Sequence, residues 1–513
     1  MLQQLTFQDA SFLYQDSPQT PMHVGSVAIL DPTKSPYGPL TLELVTNFYR
    51  DRLHLMPTAR RRLVNVPFGI DRPYWIEDEN FDLEYHVREV GLPEPHDWRQ
   101  FYTLAARILS RPLDMTRPLW ETYLIHGLDN LENVPRGCVG LLAKMHHCAI
   151  DGQSGMAMAM AIADLTPEMT HVKAPEVPWK PDPTPSDMDL MLRTYSNNLL
   201  RPIQLAELVQ QSTQAQPRAA QATQPQVPAQ PRPIPKTRFN APVSSHRVIG
   251  MKRFVLDEVR AIKSAVSDAT VNDVVLAICG GALRAYLQGK LELPADPLVA
   301  MAPVSTRKDK TDYSMGNQVS AMFIAIGTDI ADPRKRLESI RDLTRRAKQA
   351  SNAIGADLMT RFGEFIPAAT QNLAARLTAE YARGSDVMPP FNCSITNVPG
   401  PQVPLYTMGC ESVTTVGYGP ITHNMGLIIP VTSYYGELAI SFTSCREMIP
   451  DPDFFMECIQ GAFDDMKEVT LGREAAAKVA AVSKNYERLA EKALDEVRAA
   501  RASAETRSAG TSI

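Results

Sequence analysis

Apolar residues recur along this chain at two spacings, every second position in some segments and every third or fourth in others, and the switches between them mark its elements. The stretches His23 to Leu30 and Val139 to Met145 read as strands, and Leu42 to Leu53 and Phe101 to Leu109 as helices. After Val248, "KRFVLDEVRAIKSAVSDATVNDVVLAICGGALRAYLQ" predicts a strand and then two helices, the first with Val259, Ile262 and Val266 on one face. Thr270 and Asp273 resemble an N-cap and its N3 partner at the start of the second helix. The segments "CSITNVPG", "MGLIIPVTSYYG" and "ELAISFTS" alternate or run apolar between Gly and Pro, as strands do. Each half of the chain is therefore an α/β mixture with antiparallel hairpins.

Between about Ala174 and Val248 this patterning stops. Pro, Gln, Ala and Thr dominate, most densely in "QSTQAQPRAAQATQPQVPAQPRPIP" from Gln211 to Pro235, and so few large apolar groups cannot offset the entropy of ordering. The expected organisation is an N-terminal domain over 1–175, a Pro/Gln/Ala-rich linker over 176–247, a C-terminal domain over 248–470, and a charged helix and tail over 471–513. Inside the linker, "MDLMLRTYSNNLLRPIQLAELVQ" is amphipathic and reads as a helix packed on one half, with a lipid surface as the alternative. The last stretch spaces Val479, Val482, Tyr486, Leu489, Ala493 and Val497 by three and four. It predicts a helix with one stripe docked on its own protein, a partner helix being the alternative.

A chain of 513 residues exceeds what one core usually organises, which fits two domains. With 44% hydrophobic and 21% charged residues it has the balance of a soluble globular protein, and a net charge of -5 gives no reason to expect a nucleic-acid partner. Seven cysteines, widely spread and without a C-x-x-C pair, suggest neither a disulfide framework nor a zinc ribbon and fit a reducing cytosol. The start, "MLQQLTFQDASFLYQ", lacks the features of a secretory signal. The longest apolar runs, such as Val274 to Leu283, fall well short of the ~20 residues a membrane-spanning helix requires, so membrane contact is expected to be peripheral.

The segment with most chemical promise is "KMHHCAIDGQSG", residues 144 to 155, between a predicted strand and the Ala- and Met-rich helical stretch "SGMAMAMAIADL". Side chains at such a connection can project into a cleft. A metal is not favoured: His147 and Asp151 lie four apart, but no second His/Glu/Cys cluster supplies further ligands. A serine nucleophile at Ser154 fails because the elbow G-x-S-x-G ends here in Met156. Cys148 has no thiol-protease surroundings and reads as a buried small hydrophobe. What remains is a histidine acting as general base, with its pKa of about 6.5 suited to taking and returning a proton at neutral pH. Asp151 would fix the turn by hydrogen bonds or an ion pair with an arginine, and Gly152 would allow a backbone angle closed to other residues. Standing alone, a His-His pair is more often structural than catalytic.

Its company decides. "RPLW" (Arg117 to Trp120), "HHCAIDG" (His146 to Gly152), "VND" (Val271 to Asp273), "PVSTR" (Pro303 to Arg307), "GNQVS" (Gly316 to Ser320) and "NVPGP" (Asn397 to Pro401), with the opening "FLYQDSPQTPMHVGSVAIL", resemble the bacterial wax ester synthase/diacylglycerol acyltransferase family over roughly residues 1 to 470. HHxxxDG alone is shared with peptide-synthetase condensation domains and other chloramphenicol-acetyltransferase-like enzymes. The resemblance implies an α/β (α+β) fold of two chloramphenicol-acetyltransferase-like domains forming a pseudo-dimer around a central tunnel. Acyl-CoA would enter from one side, and a fatty alcohol or diacylglycerol from the other. By the same resemblance His147 is the base, taking the acceptor hydroxyl's proton and delivering it to the departing CoA sulfur, with His146 in a lesser, orienting role.

The remaining candidates carry two readings each. Asn272 is an oxyanion donor or part of a helix cap, while for Asp273 the cap is favoured. Trp120 walls the acyl channel or simply packs, packing being favoured. Arg307 is a partner for Asp151 or a contact for a CoA phosphate. "NVPGP" reads as loop architecture at the tunnel wall. Met408 lines the acceptor channel by resemblance. No P-loop or G-x-G-x-x-G fingerprint is present, so CoA phosphates would meet scattered basic residues; the cluster Arg60, Arg61 and Arg62 is one, with a solvated charged face as its plain alternative. His423 is expected at the surface. No metal, cofactor or prosthetic group is implied, and a cytoplasmic protein attached peripherally to the inner membrane or to lipid inclusions is expected. The rival readings are a peptide-synthetase-type condensation domain, with no carrier domain visible beyond Thr470, and a catalytically inactive lipid-droplet-binding protein.

Overall fold

Strands form both where burial alternates, as over Cys410–Tyr418, and where apolar residues run on, as over Trp120–His126. The computed structural model describes residues 2–150, 155, 158–160, 162–175, 179–199, 201, 234–305, 319–354, 365–384 and 388–472. In the N-terminal half these include α1 (Phe7–Gln15), β2 (His23–Asp31), α2 (Leu42–Arg52), α3 (Leu83–His86), β5 (Val87–Gly91), α4 (Trp98–Ser110), β6 (Trp120–His126) and β7 (Val139–His146), with short β1 (Gln3–Gln4), β3 (Arg61–Val64) and β4 (Tyr74–Glu77) making a separate three-stranded sheet. The C-terminal half supplies β8 (Arg247–Val255), α5 (Leu256–Ser264), α6 (Val271–Gly289), β9 (Val299–Ser305), β10 (Val319–Ala325), α7 (Pro333–Ile354), α8 (Ala368–Tyr381), β11 (Cys393–Pro399), β12 (Tyr406–Thr407), β13 (Cys410–Tyr418), β14 (Leu427–Tyr434), β15 (Glu437–Cys445) and α9 (Pro452–Leu471).

Two six-stranded mixed sheets carry the molecule, one ordered β12-β13-β2-β7-β6-β5 and the other β10-β9-β11-β14-β15-β8. They form the paired α/β arrangement that the resemblance implies. The division does not follow chain order, however. β13 leaves the C-terminal half and pairs antiparallel with β2, from Glu411 opposite Asp31 to Tyr418 opposite Gly25, with a bulge between Ser412 and Thr414. Burial alternates residue by residue along β13, so it has one face in each environment.

Local chemistry explains the helices. The side chain of Asp97 caps α4 by accepting from the amide of Gln100 at 2.9 Å, and Phe101, Ala105 and Leu109, spaced by four, are buried against the first sheet. That apolar cluster also takes in Met251 of β8 and Ala439 of β15, so the two halves share a core. The capping box at α6 forms as the spacing predicts: Thr270 Oγ1 accepts from Asp273 N at 3.3 Å and Asp273 Oδ2 accepts from Thr270 N at 2.8 Å. Asp273 is spent on this, since its other oxygen accepts from Thr344 Oγ1 at 2.6 Å.

The amphipathic linker segment is helical over 187–199. It packs through Leu190 and Thr194, and is latched where Asn197 Nδ2 and Arg201 Nη2 donate to Asp71 at 3.1 and 2.6 Å. The densest part of the linker, the C-terminal helix expected beyond 471, and the motif residues Asp151, Gly152 and Arg307 lie outside the described residues.

Candidate active site

β7 delivers the two histidines to opposite sides. Along it Leu141, Ala143 and Met145 line a cavity of 640 Å³, and His147, just past the strand end, continues that row; His146 is fully buried on the other side. The cavity lies between the two sheets. Its lining is largely apolar from both sheets, with Ala28, Trp120, Met145, Met301, Leu427 and Ile428 among it, and β11, β13 and β14 add the hydroxyls of Ser394, Thr396, Ser412, Thr415 and Thr432.

The turn carrying His147 is tied at several points. His147 N donates to Met22 O at 2.7 Å, His146 N to Leu119 O at 3.0 Å, and Ala149 N to His146 O at 3.0 Å. The ring of His147 stacks on Phe12 of α1, with centroids 3.9 Å apart and planes within 6°. His146 Nδ1 accepts from the amide of Cys148 at 3.1 Å, which places its proton on Nε2, facing Asp16 Oδ2 at 3.2 Å. His146 is thus engaged on both ring nitrogens away from the cavity. Cys148 is buried, and burial pushes its thiol well above the usual range, consistent with a small core residue.

Beneath the turn, the buried side chains of Lys144 and His23 meet the carbonyls at the C-terminal end of α4. Lys144 Nζ donates to the carbonyls of Ile108 and Arg111 at 3.2 and 3.1 Å and pairs with Glu121 at 3.0 Å. His23, opposite His146 in the β2–β7 register, has Nδ1 3.3 Å from Leu109 O, and burial, with Lys144 and His146 nearby, lowers its pKa to about 3. His23 is therefore neutral and donates from Nδ1. Free carbonyls at a helix end favour such partners.

The other expected site residues fall at varied distances from this centre. Trp120 both packs and lines the cavity: its Nε1 donates to Ala59 O at 2.7 Å, its ring stacks on His86 at 4.6 Å, and it faces the lumen. Asn272 lies in the first turn of α6, where its Oδ1 accepts from Asn397 Nδ2 at 3.4 Å, and Asn397 itself lines the cavity. Asn397 and Val398 bring the "NVPGP" segment into the wall. Met408 is placed differently from the expectation. It is fully buried in the core cluster with Leu40 and Val45, while its neighbours Leu405 and Thr407 line the cavity. Strand alternation accounts for this: with Leu405 and Thr407 on the cavity, Tyr406 and Met408 turn to the other side and are buried.

His423 is a second correction. It is buried rather than at the surface, with Nδ1 accepting from Val243 N at 3.2 Å and Arg383 Nε 3.0 Å from Nε2, because the loop before β14 folds under the β8 entry. The arginine cluster is engaged by the protein: Arg60 lies over the ring of Trp179, Arg61 donates to Gln3 Oε1 at 3.1 Å, and Arg62 pairs with Asp78 at 3.4 Å. Among the described residues no group of three or more His, Cys, Asp and Glu is arranged to hold a metal. Sequence reasoning passed over Phe12, Asp16 and Lys144. No spacing signal connects Phe12 and Asp16 to the histidines, since they arrive from α1, whereas Lys144 stands two residues before His146 on β7 and the strand period is the signal that could have found it.

These features agree with what the chain resembles as a whole. The model of the wax ester synthase/diacylglycerol acyltransferase catalytic domain matches residues 5–275, and that of the WS/DGAT C-terminal domain matches 315–467. A Mycobacterium tuberculosis protein assigned as a diacylglycerol O-acyltransferase is 31% identical over 451 residues, 88% of this chain and 87% of that protein. A Mycobacterium bovis protein with the same assignment is 30% identical over 465 residues, covering 90% and 98%. The structure of the wax ester synthase/diacylglycerol acyltransferase from Marinobacter aquaeolei superposes with a TM-score of 0.61 at 25% identity, over 91% of this chain and 99% of that one. The first condensation domain of the CDA synthetase shares the fold, with a TM-score of 0.53 at 16% identity over 93% and 97%. The chain is an acyltransferase and belongs to the wax ester synthase/diacylglycerol acyltransferase family.

Proposed function

We propose that this enzyme transfers a fatty acyl group from acyl-CoA directly to the hydroxyl of a long-chain alcohol, giving a wax ester, and to that of diacylglycerol, giving triacylglycerol, with His147 as general base. The observation that carries the reading is the placement of His147 on the wall of a 640 Å³ cavity, while His146 is buried on the opposite side of the same turn. His147 removes the hydroxyl proton as the oxygen attacks the thioester carbonyl. The carbon–sulfur bond then breaks, and the same ring returns the proton to the CoA thiolate. No covalent enzyme intermediate is needed. The largely apolar lining suits the fatty chains, and the hydroxyls among it suit the more polar part of a bound substrate. Acyl-CoA and the acceptor enter from opposite sides in this reading, and Asn272 supports the tetrahedral oxyanion or holds the site through Asn397.

The reading includes a cytoplasmic enzyme attached peripherally to the inner membrane or to lipid inclusions, where its substrates partition. Among the described residues no helix is long and apolar enough to cross a membrane. The helix over 187–199 leaves Met188, Leu192, Tyr195 and Leu199 exposed, and Phe68, 89% exposed, lies three residues before the Asp71 that latches this helix. These groups fit an interfacial surface. With Phe68 and Leu192 both changed to Ser, vesicle co-flotation is expected to fall while turnover of detergent-dispersed substrates persists. Undiminished flotation removes these groups from the attachment.

The test of the chemistry uses purified wild type and His147→Ala with palmitoyl-CoA and hexadecanol or dipalmitoylglycerol, following thiol release and ester formation. Loss of a general base is expected to lower kcat by roughly 10²- to 10⁴-fold. Ester formed at an undiminished rate by the variant rejects the assignment. The ratio of the two acceptors' turnover decides between wax ester and triacylglycerol as main product.

A further inference from the structure

We propose that Asp16 is a positioning residue for the transfer, setting the tautomer of His146 and with it the turn that presents His147 to the cavity. The inference rests on the reading of His147 as the base. Asp16 is the C-cap of α1, with φ -66° and ψ 136°. Its Oδ2 accepts from Met22 N at 2.8 Å and from His146 Nε2 at 3.2 Å. Both partners continue to the base. Met22 O accepts from His147 N at 2.7 Å, and His146 Nδ1 accepts from the amide of Cys148, the residue that follows His147, at 3.1 Å. One carboxylate oxygen therefore reaches the backbone on both sides of His147.

The argument for the tautomer is one of complementarity. A neutral imidazole offers one donor and one acceptor, and here a donor amide faces Nδ1 while a carboxylate faces Nε2. Moving the proton to Nδ1 would set two N–H groups against each other at Cys148 and two lone pairs against each other at Asp16. His146 is wholly buried, so solvent cannot rescue either mismatch. The ring would rotate or the turn would open, and His147 would move with it. The same helix also supplies Phe12, whose ring is stacked on His147. Asp16 thus ties the turn to the end of the helix that carries the stacking partner.

The experiment is steady-state kinetics of the full chain with palmitoyl-CoA and hexadecanol for wild type, Asp16→Ala, Asp16→Asn, His146→Ala and the Asp16→Ala/His146→Ala double variant. Asp16→Ala is expected to lower kcat by roughly 10- to 100-fold, as for a small displacement of a catalytic group, with KM for palmitoyl-CoA within about twofold. Asp16→Asn, whose Oδ1 still accepts both N–H groups, is expected to lose no more than about threefold, and the double variant to lose less than the product of the two single effects, since the two residues share the His146 ring. Wild-type kcat in Asp16→Ala, an Asn variant as damaged as the Ala variant, or effects that multiply each overturn the proposal. A measurement on the wild-type protein guards against a variant that does not fold. With ¹⁵N-histidine labelling, the signals lost in His146→Ala are expected to report a proton on Nε2 and none on Nδ1, and the reverse overturns the proposal. His147→Ala serves as the control: undiminished turnover there retires the general-base reading itself, whereas its loss beside an unaffected Asp16→Ala retires only the role of Asp16.

Discussion

Two neighbouring imidazoles, His146 and His147, have the same chemistry and different work because a strand turns alternate side chains to opposite faces. His147 ends the row Leu141, Ala143, Met145 on the cavity wall, and His146 falls on the buried side, opposite His23 in the β2–β7 register. The buried side has a pH cost. The pKa of His23 is about 3 in the folded chain, against about 6.5 when unfolded. Between those values the unfolded state binds the extra proton, so stability is full above about pH 6.5 and falls as pH drops toward 3. Across pH 6.5 to 5 this ring alone accounts for about 2 kcal/mol. His86 and His423, whose pKa values burial also lowers, act with the same sign. The urea midpoint is therefore expected to fall between pH 7 and pH 5, and to fall less in His23→Gln, which keeps a donor for Leu109 O. A midpoint with the same pH slope in both proteins would contradict this account.

At the level of elements, the parts that read clearly from sequence are those whose signal is local. The capping box at Thr270 and Asp273 needs only residues three apart, and the strands Val139–His146 and Glu437–Cys445 need only their own apolar pattern. Helix α6 shows what a local signal leaves out. It carries Gly280 and Gly281 in mid-helix, against propensity, because a Cβ on Gly280 would lie 2.0 Å from Ile326 O and one on Gly281 would lie 2.5 Å from Arg336 Nη1. The helix packs against the segment after β10 and against α7 only by doing without those side chains. Gly280→Ala must displace backbone, and a loss of about 3 kcal/mol in the stability measured by urea titration is expected, despite the gain in helix propensity. A variant as stable as wild type would show that the helix has room to shift.

For the whole molecule, the crossing of β13 into the first sheet is the dominant feature. Without it β2 is an edge strand, open along Gly25 to Asp31, and the cavity loses Ser412 and Thr415 from its wall. Residues 1–247 expressed alone are accordingly expected to aggregate, and adding residues 248–472 in trans during refolding is expected to restore a single soluble species by gel filtration. A monodisperse, folded 1–247 fragment would show that the shared sheet is dispensable. The shared core around Phe101, Met251 and Ala439 points the same way.

The sequence by itself determined the α/β character and the motif set that marks the family, because each is written in short-range spacing. Tertiary structure alone decided that Met408 turns into the core, that His423 is buried, that Phe12 stacks on His147 and that Asp16 meets His146. Those facts depend on which face of one element meets another after residues hundreds of positions apart have paired, and no local pattern of hydrophobic and polar positions encodes that choice.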